Sequence, residues 1–335
     1  MPDVLTAIGW NDDVAAAVEA AQRPDARPGR VSRVDRGLVT VLTEAGRVRA
    51  TRGDVPPATG DWVLVEGDEE PTVVAVLPRR SAFVRGDPME GSARHAQVVA
   101  SNVDTVFVTQ SIDNGPKLRR LERELVLAFE SGADPVVVLT KADLVPDGVE
   151  LAEVEASAAG VPVIVTSAVT GRGIDELRAY TRPGQTVALV GASGVGKSTL
   201  VNTLVGEEVR ATGAVRATDQ RGRHTTTARE LVLLPDGGVL VDTPGLRAVT
   251  LWLSDEGFRR AFADVEAVAR ECRFHDCAHD REPGCAVQAA VVRGDLDEAR
   301  VTHYRELDAE LDRVAIRDAE RERAERAGRR PRRTR

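Results

Sequence analysis

Apolar and polar positions alternate with different periods along the chain. From Gly29 to about Arg80 the apolar residues fall in short β-type runs: Val31 and Val34, then 38–42, 47–50, 61–65 and 72–76. Asp35-Arg36-Gly37, Glu44-Ala45-Gly46 and Glu66-Gly67-Asp68 punctuate these runs as turns. Such a series of short strands predicts a small closed barrel of the OB-fold type, and an SH3-like barrel gives much the same pattern. From about Thr105 the period changes. Nearly continuous apolar strands at 105–109, 135–139, 161–165 and 186–190 alternate with helical stretches. In one of these, 117–131, Leu118, Leu121, Leu125 and Phe129 repeat at helical spacing, and Gly132 follows as a stop. This alternation predicts a parallel sheet covered by helices on both faces. Runs at 231–234 and 239–241 flank Asp236-Gly237-Gly238 and read as a hairpin. After about Ser254 the pattern is helical, and the charge alternation from Arg305 to Arg326 reads as a solvated helix face. The expected organisation is multidomain α/β: a flexible acidic, alanine-rich arm (1–28), an OB-fold β-barrel (29–83), an α/β domain (84–253), a helical domain (254–316) and a basic tail (317–335).

The α/β domain carries the chemistry. Gly191-Ala192-Ser193-Gly194-Val195-Gly196-Lys197-Ser198 is a full G-x-x-x-x-G-K-S phosphate loop, followed by Thr199. It lies between a predicted strand and an apolar helix, the context in which loop amides and a helix N-terminus receive phosphate. Lys197 is expected to reach the β- and γ-phosphates, and Ser198 to bind Mg²⁺. Asp242-Thr243-Pro244-Gly245 follows at the spacing of a D-x-x-G switch. Asp242 would hold Mg²⁺ through water, and the Gly245 amide would sense the γ-phosphate.

Thr140-Lys141-Ala142-Asp143 is a variant of the guanine-reading N/T-K-x-D motif. The Asp143 carboxylate can accept from both N1–H and the N2 amino group of guanine, a donor pair adenine lacks, so ATP is disfavoured. Lys141 is expected to pack along the base. Thr140, standing where asparagine is commoner, is expected to weaken the contact to the loop below. Ser167-Ala168, after the next strand, fits the backbone segment that contacts the guanine oxygen. Residues 222–227, with Thr225, Thr226 and Thr227, occupy the place of switch I, where one threonine completes the Mg²⁺ shell. Leu246 follows the D-x-x-G motif where a water-orienting glutamine is usual. His224 is the available catalytic substitute, against the plainer reading of a loop histidine. The base reader precedes the phosphate loop, the reverse of the ordinary order, so the domain is expected to be a circularly permuted P-loop GTPase domain using GTP/GDP and Mg²⁺.

Composition narrows the class further. At 42% hydrophobic and 29% charged residues the chain is of ordinary globular make-up. No apolar run approaches a membrane span and no basic-then-apolar leader opens the sequence, so a cytoplasmic protein without a membrane partner is expected. A net charge of −8 argues against a uniformly basic nucleic-acid binder, although five arginines close the chain at 329–335. Only three of the 45 basic residues are lysines: Lys117, Lys141 and Lys197. Two of them are the key lysines of nucleotide motifs, where a compact ammonium does what arginine does poorly. All three cysteines cluster as Cys272-x4-Cys277-x-His279-x5-Cys285. Three thiolates and one imidazole suit a closed tetrahedral, structural Zn²⁺ site in a helical zinc-binding domain. His275 fits less well as a ligand.

These strings together resemble the RsgA (YjeQ/EngC) family of small ribosomal subunit biogenesis GTPases. The resemblance is carried by Ser101-Asn102-Val103-Asp104, 140–144, 191–199, 222–227, 242–246 with Leu251-Trp252, and 272–287, spanning about Arg30 to about Glu310. It implies a GTPase, slow alone and stimulated by the small ribosomal subunit late in its maturation, whose barrel and zinc module grip rRNA. A monomer is expected. Two other readings stand beside it: an RNA-binding module with structural nucleotide, and an assembly GTPase for another ribosomal particle.

Overall fold

The computed structural model describes residues 4–54, 56–85, 97–113, 115–145, 151–158, 160–211, 230–235, 237–242 and 255–328. Five strands form the barrel: β1 (Arg27–Val34), β2 (Leu38–Thr43), β3 (Gly46–Thr51), β4 (Trp62–Glu66) and β5 (Thr72–Val76). Their order is β1-β2-β3-β5-β4, and β4 pairs back onto β1 to close the ring. All pairings are antiparallel except β3 with β5. This closed five-strand order is that of an OB-like barrel. Every second residue turns inward, so Val31, Val39, Val41, Ala50, Val63, Val65 and Val73 form its own core.

Two short helices precede the barrel, α1 (Val4–Ala7) and α2 (Asp12–Ala20), where a flexible arm was expected. Leu5, Ile8 and Val14 are buried, and Trp10 meets the Trp62 ring edge-on at 5.4 Å. The apolar side chains hidden among the alanines hold the arm down. A further hairpin, β6 (Ala82–Arg85) with β7 (Gln97–Ser101), spans the expected boundary at 83/84.

The α/β sheet consists of β8 (Thr105–Ser111), β9 (Asp134–Thr140), β10 (Val163–Val165), β11 (Thr186–Gly191), β12 (Glu230–Leu233) and β13 (Val239–Asp242). Its order is β10-β9-β8-β11-β13-β12, parallel except for the β12–β13 hairpin. Helices α3 (Leu118–Glu130) and α4 (Ala152–Ser157) cover one face. On the other lie α5 (Ile174–Arg178) and α6 (Lys197–Ala211), the latter interrupted at Gly206. The strand alternation serves both faces: Val106, Val108, Ala188 and Val190 pack toward α3, while Phe107, Val187 and Leu189 pack toward α5 and α6. β12 also pairs with β1 through Glu230 and Arg33, so the barrel and the α/β sheet are one hydrogen-bonded sheet.

Arg30 is buried where these parts meet. Its guanidinium donates to Ile8 O, to Gly60 O (3.1 Å), to Asn102 O (2.8 Å) and to Thr186 Oγ1 (2.8 Å). Burial lowers its pKa to about 10, so it stays charged at neutral pH. Nearby, Asp61 takes two 2.7 Å bonds from Arg79 and one of 2.6 Å from Ser101 Oγ.

The C-terminal helices are α7 (Asp255–Ala261), α8 (Ala263–Ala269), α9 (Ala286–Arg293) and α10 (Glu298–Gly328). α10 runs well into the expected tail, and 329–335 lie outside the described residues. The module sits against α3. Gly257 lets α7 approach closely, since a Cβ there would lie 2.8 Å from Val126 O and 2.9 Å from Glu130 N. A buried ionic cluster joins the two parts. Arg300 bonds Glu122 of α3 at 2.8 Å and Asp264 of α8 at 2.6 and 2.7 Å, and His303 Nδ1 bonds the other Glu122 oxygen. The start of α10 is therefore not a solvated face. Leu307 and Leu311 are buried, and Glu306 and Glu310 pair with Arg119 and Arg123 of α3. Among the described residues, no helix is long and apolar enough to cross a membrane.

Candidate nucleotide site and metal centre

The carboxyl ends of five parallel strands converge on one edge of the sheet, at the point where chain order reverses around β11. In open α/β sheets this edge is where ligands bind. β11 ends in the phosphate loop, β9 in Thr140 and Lys141, β10 in Thr166 and Ser167, β8 in Gln110 and Asp113, and β13 in Asp242.

The phosphate loop turns from β11 into α6. Gly191 has φ +142° and passes so close to β8 that a Cβ would sit 2.3 Å from Thr109 O, so the position needs glycine. The Lys197 ammonium donates to Gly191 O at 2.7 Å and to Ala192 O. It is thereby held inside the curve of the loop. Ala192, Gly196 and Lys197 are half-buried, Val195 is buried, and Ser193, Gly194, Ser198 and Thr199 are exposed.

The turn from Thr140 to Asp143 is tied to its surroundings residue by residue. Thr140 Oγ1 lies within bonding distance of Val195 O in the phosphate loop and 3.2 Å from Gln110 O. The threonine thus keeps a contact to the loop below. Its single proton serves one carbonyl at a time, where an asparagine amide would offer two. Lys141 adopts φ +63°, and its ammonium pairs with Asp113 Oδ2 at 2.8 Å. Ala142 N donates to Thr166 O at 3.1 Å, holding a short 3₁₀ turn (Ala142–Leu144) against the end of β10. Asp143 Oδ1 accepts from Ser167 Oγ at 2.5 Å, and Ser167 Oγ in turn accepts from the amides of Val169 and Thr170. Ala168 is half-buried beside them. Thr140, Lys141, Asp143, Ser167 and the phosphate loop are therefore one assembly.

Three participants were not singled out from sequence: Gln110, Asp113 and Glu124. Gln110 Nε2 donates to Glu124 Oε2 at 2.7 Å, and Arg120 holds the other oxygen at 2.9 Å. Burial raises the Glu124 carboxyl above its ordinary value, against those bonds and the nearby charge of Lys197. The usable signal was position, because Gln110 and Asp113 follow directly on the predicted strand 105–109. Asp242 ends β13 as the switch motif requires. Gly245, His224 and Thr225 to Thr227 lie outside the described residues.

The four expected metal ligands come together. The ligand atoms of Cys272, Cys277, His279 and Cys285 all lie within 4.8 Å of one another. Cys272 Sγ and Cys285 Sγ are 3.9 Å apart, and each is 3.6 Å from His279 Nδ1. A tetrahedron with zinc–sulfur bonds of ~2.3 Å has edges of about 3.8 Å, so the donor set and spacing fit Zn²⁺. Cys285 caps α9, accepting from Gln288 N at 3.4 Å, and Cys272 accepts from Ala286 N at 3.3 Å. His279 turns at φ +54° and its carbonyl accepts from Gln288 Nε2 at 2.7 Å. Burial holds the imidazole below its ordinary pKa, hence neutral and able to ligate. His275 is almost fully exposed beside Asp276 and stands apart from the cluster.

Residues 76–252 match the RsgA GTPase family. The chain is 48% identical over 333 residues to the small ribosomal subunit biogenesis GTPase RsgA of Streptomyces avermitilis, covering 96% of this chain and 89% of that protein. It superposes on YjeQ from Thermotoga maritima with a TM-score of 0.64 and 29% identity, over 85% of this chain and 98% of that one. It also superposes on YloQ, a circularly permuted GTPase, with a TM-score of 0.60 and 23% identity, over 87% and 96% of the two chains. The YloQ likeness is one of fold.

Proposed function

The chain belongs to the RsgA GTPase family and is a GTPase, and from that premise we propose that it acts in late maturation of the small ribosomal subunit. On this reading the subunit stimulates hydrolysis, and the barrel and zinc module contact its rRNA. The observation that carries the proposal is the convergence of phosphate loop, base-reading turn and switch aspartate on one sheet edge, in a chain that also holds an OB-like barrel and a Cys₃His cluster.

Each residue has a part in this proposal. Amides of Gly191 to Thr199 and the Lys197 ammonium hold the phosphates and stabilise charge on the transferring phosphoryl group. Ser198 and Asp242 would hold Mg²⁺, which neutralises charge on the phosphate oxygens. Asp143 accepts from guanine, with one oxygen already fixed by Ser167, while Lys141 lies along the base. Thr140 ties the base site to the loop, Ala142 shapes the turn, and Ser167-Ala168 supply backbone to the guanine oxygen. Gly245 senses the γ-phosphate and His224 orients the attacking water. Cys272, Cys277, His279 and Cys285 would hold one structural Zn²⁺.

The test is phosphate release from GTP and from ATP, with and without purified small subunits, for the parent and His224→Ala. GTP-selective release that rises sharply with subunits, and is lost in His224→Ala while GTP binding persists, is the expected result. Equal use of ATP removes Asp143 as the selector. Release indifferent to subunits removes the partner.

A further inference from the structure

We infer that Asp113 is a positioning residue for guanine recognition, holding Lys141 in place to receive the purine. The inference rests on reading Thr140 to Asp143 as the base-reading turn. It adds a residue that belongs to no motif and stands 28 positions from the lysine it holds.

Three observations support it. First, Asp113 Oδ2 and Lys141 Nζ are 2.8 Å apart, and the two side chains are only 19% and 31% exposed. A pair so withdrawn from water is more than a screened surface contact. Second, Lys141 has φ +63°, a conformation L-residues seldom adopt. The backbone is thus committed to one direction for this side chain, and Asp113 fixes its far end. The four methylenes between lie along one path and offer a fixed apolar edge to a purine ring. Third, the neighbouring motif positions are anchored in the same way. The Thr140 hydroxyl donates to Gln110 O or Val195 O, and Asp143 accepts from Ser167 Oγ. Each of the three side chains of the turn has a partner on another strand end, and Asp113 is the one that serves the lysine.

The physical effect is pre-organisation. A free lysine side chain loses rotamer freedom when it is pinned against a ligand, and a lysine pinned beforehand does not lose it again on binding. Asp113 therefore acts on affinity, equally for GDP and GTP, and leaves the chemical step alone.

The experiment titrates GDP, 2′-deoxy-GDP and ADP into the parent, Asp113→Asn, Lys141→Met and the double variant, and measures kcat and KM for GTP. The parent is expected to prefer GDP to ADP. Asp113→Asn should weaken GDP about tenfold, a loss within the range of pre-organising one long side chain. It should weaken 2′-deoxy-GDP by the same factor and raise KM with kcat unchanged. In the Lys141→Met background, Asp113→Asn should cost nothing further. An undiminished loss in that background overturns the inference, because Asp113 would then act without Lys141. A loss that vanishes for 2′-deoxy-GDP also overturns it, since the carboxylate would be bonding the ribose. Unchanged affinity in Asp113→Asn, with the parent still selective for guanine, strikes the inference alone. A parent that binds ADP as well as GDP strikes the base-reading turn and the inference with it. Should Asp113→Asn fail to fold, Asp113→Glu takes its place. Its carboxylate stays within reach of the ammonium and should keep near-parental affinity. A folded Asp113→Glu that binds GDP as weakly as Lys141→Met overturns the inference.

Discussion

Replacing Arg300 with methionine should loosen the C-terminal helices from the GTPase domain, and the size of the effect follows from the groups left behind. The guanidinium makes ion pairs to Glu122 and Asp264, donates to Ala261 O at 2.9 Å and lies 4.8 Å over the Phe262 ring. Methionine retains most of the apolar volume but none of the charge. Glu122, with its side chain 3% exposed, would then keep only His303 as a partner among the described residues. Removing one member of a buried pair costs about 3–5 kcal/mol, chiefly because the other charge stays buried. The retained His303 bond puts the expectation at the lower end, about 3 kcal/mol. At roughly 4–8 °C per kcal/mol for a unit of this size, the transition of the C-terminal helices should fall by roughly 12–24 °C. Scanning calorimetry measures it. Glu122→Gln added to Arg300→Met should recover part of the loss, because it removes the stranded charge rather than adding a contact. If Arg300→Met stays within about 0.5 kcal/mol of the parent, as ordinary surface substitutions do, the cluster is not what joins the module to α3.

Two further outcomes follow from the same physical picture. Because burial raises the Glu124 carboxyl, the native chain binds more protons there than the unfolded chain does. The stabilisation tied to this group is fully present below the ordinary carboxyl value and is lost as pH rises through the raised one. Glu124→Gln should remove that slope in urea unfolding followed upward from about pH 4, and an unchanged slope would acquit the residue. Metal analysis of the purified chain should find one zinc ion. Cys285→Ser, which removes a ligand while its hydroxyl can still cap α9, should abolish that content and lower the unfolding transition of α7 to α10. Full zinc content in the variant would mean the ion sits elsewhere.

The parts of the fold that were legible in sequence are those whose local pattern agrees with their surroundings. The β8, β9 and β11 runs are apolar on both faces because helices cover both, and the loop after β11 advertises itself by glycines and Lys197. Spacing alone left the OB-like and SH3-like barrels unresolved, since the difference lies in pairing: β4 on β1, and β3 parallel to β5 at Thr51 and Thr72. α1 and α2 went unread because their anchoring residues, Leu5, Ile8 and Val14, are too few among alanines and acids to set a period. The solvated-face reading of 305–326 fails at Leu307 and Leu311 for a different reason. Arg300, His303, Tyr304, Leu307 and Leu311 form one buried stripe, but its first members are polar, and their partners lie far back in the chain on α3 and α8. Asp113 has no pattern of its own. Only folding brings it to Lys141.

The buried Arg30 bears on how the chain assembles. Its four acceptors, at Ile8, Gly60, Asn102 and Thr186, come from segments made at widely separated moments of synthesis. A barrel closed before β11 arrives leaves Arg30 without Thr186, and one lacking the β7–β8 turn leaves it without Asn102 as well. Each missing acceptor costs about 1–3 kcal/mol at a buried donor. Partly folded forms are therefore penalised most where arm, barrel and nucleotide domain meet, and these three close as one cooperative unit rather than as barrel first and nucleotide domain second.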